Sequence, residues 1–424
     1  MIKKYLFTFS VLCILLFTYC STEKDLGTYT PPGGSTDKPS DCSETDFTLL
    51  PKNHIPDSDL YIEGEILQNQ SANPKFMLSK RRFQGIPSIG KDRFGNLYAA
   101  WIAATNCTGE CNENYLTVSL SKDNGVSWSH DKLIFSVNPQ DSTRLKDPNF
   151  FNDKFGNLYI YWGKHVQKKN VATKEWAITW YSKLTLSTDE SSICYSAPRR
   201  IAEGIMINKP VYSNFSDQIL FPIARWYEAG ADPKLCQAFI YKANYGPDNL
   251  NNFTNAGFIP LDAPLRGIYE HMIVQLKDNT YLGMVRTGDG IYYSKSADGN
   301  IWTNGKKFVD AGATTSARFY LGKLKSGRLI LIYNNAKTRT NMTVCLSDDD
   351  GVTWPYKMLV DNSADGFFGV SYPDMIETEP GTLNIVYDYL RAPAGTINFV
   401  QINEDDIINR NQSGVFRTKI STLK

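Results

Sequence analysis

The residues best suited to chemistry lie in three segments of the C-terminal half of the chain. Glu270 and Arg286 share one segment, Tyr372 and Asp388 share another, and Arg339 lies between the two. Guanidinium groups bind carboxylates through paired hydrogen bonds, and a carboxyl group can transfer a proton to or from a reacting oxygen. These are the residue types that a site for an acidic ligand needs.

A second candidate for chemistry is the closely spaced pair Cys107 and Cys111. In an oxidising compartment the two could close a small disulfide loop, although the sequence leaves the pairing of the cysteines open. Zinc is the alternative, but no second pair of cysteines or histidines accompanies them, and the four histidines are scattered at positions 54, 130, 165 and 271. We therefore expect no metal and no organic cofactor.

Internal repeats identify the elements that must position these residues. The segment 92–101 (DRFGNLYAAW) recurs at 153–162 (DKFGNLYIYW), and each copy has the pattern of a tight turn followed by an apolar strand. Weaker copies begin at positions 216, 277, 325 and 379. The repeats predict six units, each of the size of a four-stranded sheet with one longer loop.

A second motif alternates with the first along the chain. Ser121–Trp128 (SKDNGVSW) and Ser347–Trp354 (SDDDGVTW) share one pattern, Ser296–Trp302 is one residue shorter, and Ser187–Cys194 is a degenerate copy. In such a hairpin turn the Asp accepts backbone hydrogen bonds, Gly adopts a positive φ, and Trp packs beneath the neighbouring strand. These segments resemble the Asp-boxes of bacterial neuraminidase repeats, which are structural. The two motifs together predict an all-β fold, a six-bladed β-propeller, with a seven-bladed propeller as the alternative.

The three segments that contain Glu270 and Arg286, Arg339, and Tyr372 and Asp388 are similar to those of sialidases, whose site lies on the propeller axis. The resemblance implies that Tyr372 is the nucleophile, Glu270 the base that activates it, and Arg286 and Arg339 the clamp for the sugar carboxylate. Asp388 would steady that clamp. Sialidases use tyrosine because the carboxylate on the anomeric carbon repels an anionic nucleophile, an exception to the usual two-carboxylate scheme.

The chain departs from the family in its first predicted blade. Gly85, in the sequence Gly85-Ile-Pro, stands where the family has its first clamp arginine. Arg318 is our preferred substitute, and Arg82 is the alternative. The general acid is expected in the segment 110–115, with Glu113 as the best candidate by its offset from Ser121. Two further segments, Asp147-Pro148 and Asn208–Pro210, are expected to begin inner strands and face the pocket.

The function that the resemblance implies is that of an exported glycoside hydrolase similar to exo-α-sialidases, with a glycan or acidic-sugar substrate. One alternative is a propeller enzyme, either a hydrolase or a lyase assisted by His271, that acts on another acidic sugar. The other is a surface propeller that binds glycans or proteins without catalysis. We expect a monomer.

Composition and the N-terminal sequence limit the protein class and the compartment. Among 424 residues, 42% are hydrophobic and 13% aromatic, which excludes a disordered chain and favours strands and turns. Lys and Arg number 45 against 44 Asp and Glu, so the charge pattern of a nucleic-acid-binding protein is absent. Residues 1–19 have the pattern of a lipoprotein-type signal peptide, followed by a candidate lipidated Cys20 and a polar tether to residue 48. The propeller would span 49–424. These features predict an outer-membrane or cell-surface lipoprotein, or else a periplasmic or secreted protein.

Overall fold

The computed structural model describes most of the chain from residue 73 onward. The described ranges are 66–67, 73–137, 143–167, 175–187, 189–196, 198–213, 218–226, 236–245, 250–265, 267–391 and 394–423. The predicted signal peptide, Cys20 and the tether lie outside them. No helix in these ranges is long and apolar enough to cross a membrane.

The described residues form 26 strands in six antiparallel sheets, numbered here as blades 1 to 6 in chain order. Blade 1 contains β1 (Ile66–Leu67), β2 (Phe83–Lys91), β3 (Leu97–Ala104), β4 (Tyr115–Ser121) and β5 (Leu133–Phe135). Blade 2 contains β6 (Thr143–Asn152), β7 (Leu158–Gln167), β8 (Glu175–Leu186), β9 (Ile193–Tyr195) and β10 (Arg199–Glu203). Blade 3 contains β11 (Val211–Tyr212), β12 (Gln218–Ala224), β13 (Ala238–Tyr245) and β14 (Leu250–Ile259).

The remaining three blades have four strands each. Blade 4 contains β15 (His271–Gln275), β16 (Tyr281–Thr287), β17 (Gly290–Ser296) and β18 (Lys306–Lys307). Blade 5 contains β19 (Tyr320–Lys323), β20 (Leu329–Asn334), β21 (Met342–Ser347) and β22 (Tyr356–Asp361). Blade 6 contains β23 (Val370–Glu377), β24 (Thr382–Tyr389), β25 (Thr396–Asn403) and β26 (Phe416–Thr422). One short helix, α1 (Glu404–Asn409), follows β25, and 3₁₀ turns occur at Pro74–Phe76, Leu78–Lys80, Ala263–Leu265 and Gln412–Gly414.

The six sheets are arranged around a central axis, and the inner strand of each is β2, β6, β11, β15, β19 or β23. Inner strands of neighbouring blades contact one another, as β2 does with both β6 and β23, and β19 with both β15 and β23. The contact between β2 and β23 closes the ring between the first and last blades. The predicted six-bladed β-propeller is therefore confirmed.

Both repeat motifs form turns at the same end of the blades. The first motif joins the inner strand to its neighbour, where Asp92 Oδ1 accepts hydrogen bonds from the backbone N–H groups of Phe94 and Asn96. The Asp-boxes join the third strand to the next, and Trp128 Nε1 donates to the Gly125 carbonyl at 3.2 Å. Because successive strands are antiparallel, this turn end lies opposite the beginnings of the inner strands.

Three inner strands contain a β-bulge near their beginning. The pairing register shifts around Ile86 in β2, Asp147 in β6 and Tyr372 in β23. Each of these residues precedes a proline and has a positive φ, of 58°, 52° and 55° respectively. Such conformations are unfavourable for residues other than glycine and tend to occur at functional sites. The bulges mark the opposite end of the blades, which we call the bulge end.

Candidate functional site

The bulge in β23 places the Tyr372 hydroxyl between a guanidinium group and a carboxylate. Arg286 Nη1, at the end of β16, donates to the Tyr372 hydroxyl at 3.1 Å, and that hydroxyl donates to Glu270 Oε1 at 3.5 Å. Arg286 Nη1 also forms an ion pair with Glu270 Oε2 at 2.6 Å. All three side chains are buried. The three residues therefore form one hydrogen-bonded cluster, drawn from blades 4 and 6.

Besides Arg318, whose Cζ is 5.5 Å from the ring centroid of Tyr372, two further guanidinium groups lie against this ring. The Cζ of Arg391, which follows β24, is 4.3 Å from the ring centroid, and the Cζ of Arg339, between β20 and β21, is 5.1 Å away. Both distances are within the range of cation–π interactions. The structure thus brings together Tyr372, Glu270, Arg286 and Arg339 as the sequence predicted, and it adds Arg391.

Asp388 holds Arg391 in place. Asp388 Oδ2 lies 3.2 Å from Arg391 Nε and accepts a hydrogen bond from the Ile86 N–H at 2.8 Å. Arg391 Nη2 donates to Ser371 Oγ at 3.2 Å. The predicted role of Asp388 in steadying an arginine fits this geometry, although the arginine is not one of those predicted.

Gly85 explains why Arg391 can occupy this position. A Cβ atom built on Gly85 would lie 2.5 Å from Arg391 Cγ and 3.1 Å from Asp388 Oδ2, closer than side chains tolerate without rearrangement. The side chain of Arg391 therefore fills the space that any side chain at position 85 would need.

Arg318 does not fill the role that we predicted for it. Its side chain is buried, and its Nη2 donates to the carbonyls of Pro87, Tyr372 and Pro373 at 2.8, 2.9 and 3.1 Å. Its Nη1 donates to the Ile207 carbonyl at 3.3 Å. Because these donors already bind backbone carbonyls, Arg318 has a structural role: it links inner segments of several blades. The alternative, Arg82, is exposed, which leaves Arg391 as the third arginine of the cluster.

The predicted general acid, Glu113, lies elsewhere. Its Oε2 forms an ion pair with Lys75 Nζ at 2.8 Å, and no hydrogen bond or ion pair in the described part of the chain joins it to the Tyr372 cluster. Glu110, in the same loop, lies 3.5 Å from Arg391 Nη1. Partial burial would raise the pKa of Glu110, but the charges of Lys146 and the nearby arginines outweigh burial and lower it.

A buried pair beside the cluster has unused hydrogen-bonding capacity. Lys146 Nζ lies 3.5 Å from Asp147 Oδ2, yet neither atom has a hydrogen-bond partner among the described residues. The pKa of Asp147 is raised to about 6. Burial is the main cause and the negative charges of Glu110 and Glu270 add to it, while the positive charge of Lys146 opposes them. Lys146 Nζ lies 3.8 Å from the centroid of the Trp226 ring. Buried polar atoms without partners are costly, so this pair is suited to binding a polar ligand.

The side chains of His271 and Asn208 are buried and lie at backbone carbonyls. His271 Nε2 is 2.7 Å from the Phe239 carbonyl oxygen, and burial lowers its pKa to about 4, so the ring is neutral near pH 7. Asn208 Nδ2 donates to the His271 carbonyl at 3.0 Å. Both contacts favour a structural role for the two side chains.

Arg391 was not among the predicted site residues, and of the two glutamates in the loop it is Glu110, not the predicted Glu113, that contacts the cluster. The signal for Arg391 was present in Gly85, because a glycine where a long side chain is expected leaves space for another. For Glu110 the signal was its position inside the Cys107–Cys111 pair, which forms a disulfide in the structure. A closed loop restrains the residues within it more than those outside.

Comparisons with known proteins agree with this architecture. The BNR repeat-like domain family matches residues 95–385. A comparison with functionally curated proteins finds no match. Among solved structures, the intramolecular trans-sialidase from leech, in complex with 2,7-anhydro-Neu5Ac, is 14% identical with a TM-score of 0.60, and the match covers 83% of this chain and 72% of that one.

Two other solved structures are similar to a comparable degree. The intramolecular trans-sialidase from Ruminococcus gnavus is 14% identical with a TM-score of 0.56, covering 79% of this chain and 97% of that one. A protein of unknown function from Dyadobacter fermentans is 16% identical with a TM-score of 0.58, covering 73% and 91%. At these identities the structural likeness shows the fold alone. The match to the repeat family covers more than half of the chain, and the protein, a six-bladed β-propeller, therefore belongs to the BNR repeat-like domain family.

Proposed function

We propose that the protein is a glycoside hydrolase that removes a terminal carboxylate-bearing sugar, of the sialic acid type, from glycans. The observation that carries the proposal is the environment of Tyr372, whose hydroxyl hydrogen-bonds to Glu270 Oε1 and Arg286 Nη1 and whose ring contacts the guanidinium groups of Arg339 and Arg391. A phenol beside a carboxylate can become a nucleophile, and several arginines together suit a carboxylate ligand.

The first step would be attack by Tyr372 on the anomeric carbon. Glu270 accepts the phenolic proton as the oxygen–carbon bond forms and the glycosidic bond breaks. The 3.5 Å separation of the Tyr372 oxygen from Glu270 Oε1 is long for such a transfer, but catalytic hydrogen bonds often shorten when substrate binds. Water then attacks the anomeric carbon as the bond from that carbon to the Tyr372 oxygen breaks. Glu270 returns its proton to the phenolate oxygen, and the proton that the attacking water loses passes to solvent.

Three arginines would bind the sugar carboxylate, namely Arg286, Arg339 and Arg391. Glu270 and Tyr372 raise the pKa of Arg286 despite its burial, and Asp388, Tyr372 and Glu110 raise that of Arg391 despite its burial. Both groups therefore remain cationic over the working pH range. Desolvated cations attract a carboxylate more strongly than solvated ones do.

Glu110 is the group best placed to protonate the leaving oxygen, the role that we predicted for Glu113. In the free protein the surrounding cations lower the pKa of Glu110 and keep it ionised. A bound substrate carboxylate would neutralise part of that positive charge and so raise this pKa again. The acid would thus become protonated most readily when substrate is present.

The experiment that tests the proposal is Tyr372→Phe, measured with a fluorogenic sialoside and with uronate-containing glycans. Loss of the nucleophile should lower kcat by about 10³-fold or more while the sugar still binds. Tyr333→Phe is the matched control, because the Tyr333 hydroxyl is also buried but donates to the Ala311 carbonyl at 2.7 Å, away from the cluster. Full activity of Tyr372→Phe would refute the assignment.

The two alternatives predict different products in the same assay. Elimination leaves an unsaturated sugar that absorbs ultraviolet light, and a binding protein gives no product but retains affinity for the glycan. The hydrogen bond between Tyr372 and Glu270 favours catalysis over binding alone, because a binding site has no need of an activated phenol. Burial lowers the pKa of His271 to about 4, which makes it a weak base, and its Nε2 lies at the Phe239 carbonyl. Both features favour hydrolysis over elimination assisted by that residue.

We also propose export of the protein and lipidation at Cys20. The Cys107–Cys111 disulfide supports an oxidising compartment, since disulfides are rare in the reducing cytosol. Metabolic labelling with a fatty acid should mark the wild-type protein in the membrane fraction, and Cys20→Ala should remove the label.

A further inference from the structure

The loop between β3 and β4 carries Glu110 but contains no strand or helix. Residues 105–114 are bends and turns, so no ladder of backbone hydrogen bonds fixes their positions. Loops of this kind have many accessible conformations, and ordering them costs conformational entropy. Other interactions must therefore hold Glu110 where it is.

Hydrogen bonds restrain the C-terminal side of the loop, such as those from the Glu113 N–H to the Thr143 carbonyl at 2.9 Å and from Asn106 Nδ2 to the Asn112 carbonyl at 3.2 Å, but Glu110 itself forms neither. Two further features act on the residues next to Glu110. Cys107 and Cys111 are joined by a disulfide, and both pack against the hydrophobic core between blades 1 and 2. The buried side chain of Asn114 accepts a hydrogen bond from the Cys111 N–H at 2.6 Å and donates to the Gly109 carbonyl at 3.3 Å. The disulfide thus closes a small ring of residues with Glu110 inside it.

The carboxylate of Glu110 has little else to hold it. Among the described residues its one ion pair is with Arg391, at 3.5 Å, and the Glu110 side chain is 33% exposed. Partly exposed ion pairs contribute too little to offset the entropy of an ordered loop. Without the disulfide, the loop would sample conformations in which Glu110 is far from Arg391.

We infer that the Cys107–Cys111 disulfide is the positioning element for Glu110, so that protonation of the leaving group requires the oxidised loop. This inference rests on the proposed function. It assigns to the cystine a role in one chemical step, separate from binding of the sugar carboxylate by Arg286 and Arg339. A dithiol reductant would open the loop, because the disulfide accepts two electrons and two protons to give two thiols while the reductant becomes a cyclic disulfide.

The test uses two substrates that differ only in their need for the acid. A sialoside with a sugar leaving group needs protonation, whereas one with a 4-nitrophenyl leaving group departs without it. Since general acids typically contribute factors of 10² to 10⁴, the double variant C107S/C111S should lose about tenfold or more in kcat on the sugar-leaving substrate. On the 4-nitrophenyl substrate kcat should change by less than about twofold, because general acid help is not needed there.

Three controls separate positioning from general damage. Reduction of the wild type with dithiothreitol should lower kcat as the double variant does. The same treatment of the double variant should have no further effect, which would show that reduction of the other disulfide, at Cys194, does not cause the loss of activity. Glu110→Gln should show the same dependence on leaving group and should be insensitive to reductant. Calorimetry should find binding of the free sugar retained, and thermal melting should find the fold intact.

Equal losses on both substrates, or no loss on either, would overturn the inference. These results leave the proposed function standing, because the oxidised wild type would still cleave the 4-nitrophenyl substrate and Tyr372→Phe would still abolish that cleavage. If the oxidised wild type cleaves no acidic glycoside, the proposed function fails and this inference fails with it.

Discussion

The two ends of the blades differ in how their charged residues are held. At the turn end, the motif aspartates of the Asp-boxes accept hydrogen bonds from residues two to four positions away, as Asp349 does from Ser347 Oγ and the Thr353 N–H, both at 2.8 Å. At the bulge end, partners are distant in sequence, and the Ile86 N–H and Asp388 Oδ2 are 302 residues apart. The turn end is a set of repeated local structures, whereas the bulge end is a single structure assembled from most of the ring.

The repeated turns and the site are therefore stabilised in different ways. Each turn is stabilised by its own residues and can form without its neighbours. The bulge end gathers buried charges whose desolvation must be offset by partners from other blades. Substitutions at the bulge end should therefore change activity strongly, and those at the turn end should change only stability.

The largest contrast is expected between Arg391→Ala and Arg328→Ala. The first leaves Asp388 buried without its partner and removes one carboxylate ligand, so kcat/KM should fall by a factor of about 10² to 10³. Arg328 is at the turn end and pairs with Asp348 and Glu404 while its side chain is 30% exposed. Its loss should cost about 1 kcal/mol of unfolding free energy or less. Steady-state kinetics and urea unfolding measure the two effects, and a comparable loss of kcat/KM in both variants would contradict the comparison.

The second contrast is in the pH dependence of stability, with opposite signs at the two ends. Burial raises the pKa of Asp147 to about 6, so this group binds protons more tightly in the folded state. Its contribution to stability therefore falls as the pH rises from about 4 to about 6, by about 3 kcal/mol in total. Asp147→Asn should remove that dependence, so the variant should gain stability relative to wild type between pH 4 and pH 7 in urea unfolding.

Asp189 at the turn end is the control of opposite sign. Hydrogen bonds from the side chain of Ser187 and from Ser191 lower its pKa to about 2. Its stabilising contribution is present above the ordinary aspartate pKa and is lost as the pH falls toward 2. Asp189→Asn should therefore lose stability relative to wild type at pH 7 and recover it in acid. The same direction of change in both variants would contradict the assignment of the two environments.

The third contrast is between two glycines. Gly85→Ala places a methyl group 2.5 Å from Arg391 Cγ and should displace that side chain, raising KM by about tenfold. Gly95→Ala has open space around it but a φ of 95°, so it should cost about 1 kcal/mol of stability with KM unchanged. An unchanged KM for Gly85→Ala would show that Arg391 does not bind the substrate.

The smallest effect on activity is expected from Asp349→Ala in an Asp-box. Loss of its hydrogen bonds to Ser347 and Thr353 should lower the unfolding free energy by about 1 to 2 kcal/mol. Kinetic constants should stay within about twofold of wild type, since the turn lies at the end opposite the cluster. A change in KM would indicate that the two ends are coupled.

The same contrast explains which parts of the fold and of the site could be predicted from the sequence. The turn motifs around Asp92 and Asp349 predicted the blades correctly because their hydrogen bonds are local, and local patterns are visible in a sequence. Tyr372, Glu270 and Arg286 were predicted together because they lie in segments that resemble those of a known family. Arg391 was missed because Gly85 indicates that space is left for another side chain but not which distant residue fills it, and the contact of Glu110 with Arg391 depends on that same residue.

Arg318 has a consequence for how the ring folds. Its guanidinium binds carbonyls in blades 1 and 6 and the Ile207 carbonyl before blade 3, and one of these partners, Pro87, is 231 residues away in sequence. These bonds can form only after the first and last blades have met, because loop closure over such a length is costly. Before the first and last blades meet, the Arg318 guanidinium lacks these carbonyl partners. Burying the charged group in a partly closed ring would therefore be unfavourable. We therefore expect the ring to close late and to open as a unit, with amide protons of β2 and β23 exchanging through the same cooperative event.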